Sequence, residues 1–257
     1  TTPTLALALD GGEIGSGGSD GTIWGGELLR VDGADFQRLG QLAPIALVGD
    51  DQESRAPWRL AAAVLQRLGR SGEIGERFAG QARVDYVAEE LASSGKRRGS
   101  SSLGRVFDAV AALLDISQDS TYTGQAGLML EGFADRHGHA DPLADGWVIS
   151  DGNLDLLPLF AYLAEETNAG RGAAVFHATL ITALADWLLR VAPEGSTVAA
   201  GGGCMQNQLL GRGLRTRLTE AGRQLIEARR VPTSDGGLAL GQAWVAQHHL
   251  LRSLPGK

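Results

Sequence analysis

Residues 4–10 (TLALALD) form a short apolar run closed by two glycines, too short for several helical turns, and this predicts a buried strand. The glycine-rich stretch 11–21 predicts a loop, residues 22–31 a second strand, and Asp32-Gly33 a turn into a third strand over 36–48. From 57 to about 114 the period changes. Trp58, Leu60, Ala61, Val64, Leu65 and Leu68 recur at three- and four-residue steps, and Phe107, Val110, Ala111 and Leu114 repeat that helical signature. Residues 136–147 mix His, Gly, Asp and Pro without period and predict a loop, followed by helices over 154–166 and 173–191. A short strand over 197–200 then runs into Gly201, Gly202 and Gly203. A helix over 205–221, a strand over 224–228 and a final helix over 236–251, capped by Ser234, complete the pattern.

The order βββ, helices, βαβα predicts an α/β fold. It is that of a ribonuclease-H-like, actin-like ATPase (ASKHA) lobe with a helical insertion after the third strand. The expected segments are 1–50 for the first three strands, 51–195 for the mainly helical insertion and 196–257 for the remainder of the lobe. No internal repeat or low-complexity linker interrupts them. Fold of this kind does not by itself decide function.

Composition narrows the classes. A length of 257 residues allows one large domain or one domain with an insertion, and the 37 glycines, about twice average usage, cluster in particular loops. A net charge of -7 argues against a broad nucleic-acid surface, although Lys96, Arg97 and Arg98 remain a local basic run. The single cysteine, Cys204, excludes an internal disulfide framework and a cysteine-only zinc site, which points to the cytoplasm. No window approaches the ~20 apolar residues of a membrane span. The start, Thr1-Thr2-Pro3, lacks both an initiator Met and the features of a signal peptide, so a chain cut from a longer protein is expected.

Four constellations can carry chemistry. Asp10, at a strand end before Gly11 and Gly12 and ten residues ahead of Asp20, can hold a metal while glycine amides approach phosphate oxygens; the alternative is an ordinary glycine-rich hairpin. Gly201, Gly202 and Gly203 with Asn207 one turn into the next helix suit a phosphate or the polar edge of a nucleotide, or close strand-to-helix packing. Asp235, in Ser234-Asp235-Gly236-Gly237, can ligate a metal opposite Asp10 or serve the helix dipole. Ser100, Ser101 and Ser102 with Gly104, Arg105 and Asp108 can bind ribose and a carbamoyl or phosphate group, or cap an amphipathic helix. His177 lies in an apolar helix between Phe176 and Leu180, as a packed core histidine or a functional one. His137, His139, His248 and His249 lack metal-site spacing. Cys204 sits where a helix amino terminus lowers a thiol pKa, or is buried as a small apolar residue.

Taken together, LDG at Asp10, DGTIWGGE over 20–27, RAPWRLA over 55–61, SSSLGRVFDAVAALL over 100–114, YTGQA from Tyr122, FHATL from Phe176, GGGCMQN from Gly201 and VPTSDGGLALGQ from Val231 resemble the successive blocks of one family. That family is the carboxyl-terminal domain of HypF-type carbamoyltransferases, which deliver carbamoyl groups for the cyanide ligands of nickel-iron hydrogenases. The resemblance implies two actin-like lobes around a nucleotide and a divalent metal (iron, zinc or magnesium). It implies Asp10 and Asp235 as metal ligands, Gly11, Gly12, Gly201, Gly202, Gly203 and Asn207 as nucleotide contacts, and Gly104 and Asp108 near the ribose. Asp10, Arg105 and His177 are then the catalytic candidates. Its substrates are ATP, carbamoyl phosphate and the carbamoyl adenylate made from them, and its acceptor is the carboxyl-terminal cysteine of HypE, with no nucleic acid and no membrane.

The chain also departs from the family. The HxxxH pair that completes the metal site precedes the LDG strand, and residues 1–9 do not supply it. Ala56 stands where Glu is usual before PWR, Cys204-Met205 replaces Val-Phe, and Ser234 replaces Asn. Such a lobe holds half a cleft, and weak or absent transfer by this chain alone is expected. The readings from other classes are a non-catalytic nucleotide-binding or HypE-docking fragment, a small-molecule O-carbamoyltransferase and an actin-like sugar or acetate kinase.

Overall fold

The computed structural model describes residues 3–11, 21–49, 56–93, 95 and 97–253. Strand β1 (Thr4–Leu9) turns its odd-numbered leucines to one face, and Leu7 and Leu9 are fully buried there. It pairs antiparallel with β2 (Gly26–Asp32), which pairs antiparallel with β3 (Asp35–Gln41) through the tight turn at Gly33. The predicted 22–31 strand is shortened at its start. Gly25 takes φ +152 and breaks the ladder, and Ile23 instead bridges Ser100. The predicted 36–48 strand divides, because Pro44 lacks an amide donor: β4 (Ile45–Ala46) leaves the main sheet and later pairs with β5 (Gly99–Ser100).

Helices follow. α1 (Pro57–Arg67) starts on a proline and buries Trp58, Leu60, Val64 and Leu65; α2 (Ile74–Arg77) and α3 (Val84–Ala92) are short; after β5 comes α4 (Leu103–Leu113), which packs on α1. Gly124, at φ +83, opens α5 (Gln125–His137), which the period analysis misses because two of its thirteen positions are glycine and its apolar stripe is narrow. Residues 138–147 connect it to the hairpin β6 (Val148–Ser150) and β7 (Asn153–Asp155). α6 (Leu157–Glu165) and α7 (Ala169–Leu189) come next. α7 has the length and apolar character to cross a membrane, but it is largely buried between α5 and α8, as a core helix is.

β8 (Thr197–Gly201) inserts parallel beside β1, α8 (Gln208–Glu220) follows, and β9 (Gln224–Glu227) adds parallel to β8. The main sheet therefore has the order β3-β2-β1-β8-β9, the strand order of a ribonuclease-H-like lobe. Leu7, Leu9, Leu28, Val198, Ala200 and Leu225 share its buried face. The last helix, α9 (Leu238–Ser253), starts after a single 3-10 turn, and Arg252 ties it to Asp35 at 2.5 Å.

The predicted cap of this helix is corrected. Ser234 makes no side-chain bond to the turn it precedes, and its hydroxyl accepts from Gln206 Nε2 at 3.1 Å.

Candidate functional site

Parallel strands β1 and β8 end side by side, and ligands of open α/β sheets bind at the carboxyl ends of such strands. A cleft of about 320 Å³ lies there. Asp10 and Gly11 form its floor with Gly104, Arg105 and Asp108 of α4; Gly203, Cys204 and Asn207 form one wall, and Gly124, just before α5, and Gly127 of α5 another. Ser234 and Asp235 stand at its mouth.

Asp10 is held at every polar atom but one. Its amide donates to Gly25 O at 2.8 Å, and its carbonyl accepts from Gly104 N at 3.1 Å and from Ser102 Oγ at 2.7 Å. Its Oδ1 accepts from Gly11 N at 2.7 Å and Gly203 N at 3.1 Å, so the carboxylate bridges the ends of β1 and β8. Among the described residues Oδ2 has no partner. The amides of Gly11 and Gly203, expected to meet phosphate, are thus engaged by Asp10. Asp10 and Asp235 line the same cleft, but no three His, Cys, Asp or Glu side chains gather as a metal site among the described residues.

The glycines separate by role. Gly104 lets the loop after β1 pass, since a Cβ there would lie 2.7 Å from Gly11 Cα. Gly203 faces the cleft, whereas neither Gly201 nor Gly202 lines it. Gly202 donates to Thr233 O at 2.8 Å, and a Cβ on it would sit 2.1 Å from Leu9 O, so it is a packing glycine. Gly12 and Asp20 lie outside the described residues.

Asp108 is buried on α4 and receives Arg105 Nη1 at 2.8 Å. Burial pushes its carboxyl up to about 6, while the Arg105 guanidinium pulls the other way. The folded protein then binds this proton more tightly than the unfolded chain. The stability it supplies is complete below the unfolded carboxyl value of 3.8 and is lost as pH rises through about 6. Denaturant titrations from pH 4 to 7 are expected to show a loss of about 2 kcal/mol from this group, flattened in Asp108→Asn. An unchanged slope in that variant would refute the assignment.

Asn207 is the residue before α8, not one turn inside it, so the predicted helix over 205–221 is corrected: residues 203–206 form a 3-10 turn. Its Oδ1 accepts from Leu210 N at 2.9 Å, and its Nδ2 lies 3.1 Å from His177 Nε2. His177 is 3% exposed, its Nδ1 meets Ala173 O at 2.8 Å, and it does not line the cleft. The ring thus meets the cleft residue Asn207 without itself lining the cleft.

Cys204 is half-buried in the cleft wall. Burial, and then the Asp10 and Asp108 carboxylates, push its thiol well above the ordinary range, which disfavours the thiolate a nucleophile needs.

The sequence reading passed over two groups. Glu131 of α5 accepts from Gln208 N at 2.6 Å and so joins the cleft's α5 wall to α8. Glu27, 1% exposed, accepts from Gly25 N at 2.8 Å, Gly26 N at 2.9 Å and Ser101 Oγ at 2.5 Å. A carboxylate placed directly after Gly-Gly in a strand was the available signal. A wider cleft of about 400 Å³, with Arg212, Arg215 and Arg229 in its walls, lies beyond Asn207 and contains neither Asp10 nor Asp235.

Sheet order and cleft together define an actin-like lobe of the ASKHA class, with its cleft at the ends of β1 and β8. Residues 6–242 match the family described as carbamoyltransferase, Kae1-like domain, second subdomain, and the chain belongs to that family. It is 44% identical to carbamoyltransferase HypF2 of Cupriavidus necator, over 95% of this chain and 34% of that protein. It is 41% identical to carbamoyltransferase HypF of Rhizobium leguminosarum bv. viciae, over 97% of this chain and 32% of that one. The crystal structure of full-length HypF in the phosphate- and nucleotide-bound form superposes with a TM-score of 0.82 at 25% identity, covering 96% of this chain and 33% of the other. The chain thus spans about a third of the length of these relatives.

Proposed function

We propose that this chain is the carboxyl-terminal carbamoyl-transfer lobe of a HypF-type enzyme of [NiFe]-hydrogenase maturation in the cytoplasm. Its cleft holds carbamoyl adenylate, made elsewhere in the protein from ATP and carbamoyl phosphate. The observation that carries this reading is the meeting of Asp10, Asp108 and the pair Gly203 and Asn207, from three separate segments, in one cleft at the ends of β1 and β8.

In this reading the Asp108 carboxylate accepts from ribose hydroxyls, and Arg105, already oriented by Asp108, faces the phosphate or carbamoyl oxygens. The acceptor is the carboxyl-terminal cysteine of HypE. Its sulfur attacks the carbamoyl carbon, a C–S bond forms, and the C–O bond to the adenylate phosphate breaks. AMP leaves with that electron pair, and the thiol proton passes to solvent. The lobe needs no nucleophile of its own, in keeping with a protonated Cys204.

The residues present fit part of a divalent-metal shell. Asp10 Oδ2 and the Asp235 carboxylate are hard oxygen donors that line the same cleft, and they would hold an iron, zinc or magnesium ion that supplies charge stabilisation. The remaining ligands would come from outside the described residues, which is why this chain alone is expected to transfer weakly or not at all.

Calorimetry with AMP and ATP, paired with transfer of labelled carbamoyl phosphate to HypE by the protein of the complete reading frame, tests the proposal. Saturable nucleotide heat and label on the HypE cysteine are expected. Heat without label would favour a binding or docking lobe, label on hydroxylated small molecules an O-carbamoyltransferase, and absence of both would end the reading.

A further inference from the structure

The Asn207 side-chain amide offers an Oδ1 acceptor with two lone pairs and two Nδ2 donors. Oδ1 is taken by Leu210 N at 2.9 Å, as the cap of α8. One Nδ2 hydrogen faces His177 Nε2 at 3.1 Å. Whether that nitrogen accepts or donates depends on the imidazole tautomer.

The other side of the ring decides it. Nδ1 lies 2.8 Å from Ala173 O, and a carbonyl can only accept, so Nδ1 carries the proton. His177 is 3% exposed among Phe107 and Phe176, and burial lowers its pKa to about 4, so the ring is neutral and Nε2 keeps its lone pair. A flipped Asn207 would set Oδ1 against that lone pair and the NH₂ group against the Leu210 amide. Both bonds would be lost at once.

We propose that His177 is a positioning residue that, with the Leu210 amide, locks the Asn207 side chain so that it presents its second Nδ2–H to the cleft. The lock fixes the amide nitrogen, not the oxygen, at this point of the site. The ligand atom that meets it is therefore an acceptor: a ring nitrogen, a hydroxyl oxygen, or a phosphoryl or carbonyl oxygen. This deepens the nucleotide reading of the same cleft and rests on it for the ligand, though the lock itself does not.

Two variants separate the polar role from packing. His177→Gln can return an acceptor near the position of Nε2, whereas His177→Phe fills the space without one; both lose the bond to Ala173. In the protein of the complete reading frame, AMP affinity is expected to fall about tenfold in His177→Phe and to stay within about threefold of wild type in His177→Gln, at matched thermal stability. Equal losses in both variants would overturn the proposal in favour of a packing role. Imidazole ¹⁵N NMR without ligand is expected to show a protonated Nδ1 and a bare Nε2, and a bare Nδ1 would overturn the lock directly. If wild type binds no nucleotide while the NMR pattern holds, the nucleotide reading fails and the lock survives.

Discussion

Gly202→Ala is expected to cost about 4 kcal/mol or more of folding stability and to abolish ligand binding in the cleft. Two effects add. Gly202 has φ +103 and ψ 162, a conformation essentially closed to residues with a Cβ, which costs about 1–3 kcal/mol. A Cβ there would also lie 2.1 Å from the carbonyl oxygen of Leu9 and 3.0 Å from its amide nitrogen. Those are backbone atoms of the central strand, so relief requires β1 and β8 to separate where Asp10 Oδ1 meets Gly203 N. Against the 5–15 kcal/mol of a typical domain the loss is severe. Gly201→Ala is the matched control, since nothing lies within 4 Å of its Cβ position. Denaturant midpoints should show the second variant near wild type and the first far below it. Similar midpoints for the two would mean that the end of β8 is not packed as described.

Glu27→Ala is the second large effect, expected at about 3 to 5 kcal/mol. It leaves the Gly25 and Gly26 amides and the Ser101 hydroxyl without their buried acceptor. The damage should reach the cleft, because Gly25 O receives both Asp10 N at 2.8 Å and Leu103 N at 3.0 Å, the first residue of α4. Glu27→Gln keeps the shape and an acceptor for the two amides, and Ser101 can turn to accept from its NH₂ group, so a change under about 1 kcal/mol is expected.

The carboxyl of Glu27 is raised above its ordinary range by burial, against the pull of Ser101, Gly25, Gly26 and Arg38. The folded state holds that proton more tightly than the unfolded chain, so its stabilisation is present at acid pH and is lost as pH rises through the folded value. Glu27→Gln should remove that part of the slope. Thermal melts of the two variants across pH check both statements; a neutral Glu27→Ala would show that the glycine turn does not depend on the carboxylate.

The two variants also mark where local pattern stops being informative. The three opening strands, the long helices α1, α4 and α7 and the closing βαβ were legible because a buried strand must alternate and a buried helix must repeat near 3.6 residues, and both periods lie in the order of side chains. The blocks around Asp10, Gly104, Asn207 and Asp235 were visible as glycine turns beside polar residues for the same local reason. α5 was not, since Gly124 and Gly127 serve the cleft wall at the expense of a clean apolar stripe.

What tertiary structure alone decided was which polar group answers which. Nothing in the local pattern distinguishes Gly201 from Gly202; the difference is the Leu9 carbonyl, 193 residues away by the same span that brings Gly203 to Asp10. Nor does it set Glu27 against Ser101, or His177 behind Asn207 rather than in the cleft. Periodicity records which side of an element avoids water, a property each segment carries by itself. Hydrogen bonds and steric fit between distant segments depend on ångström-scale placement after the chain has folded, and the chemistry of this cleft is built from those.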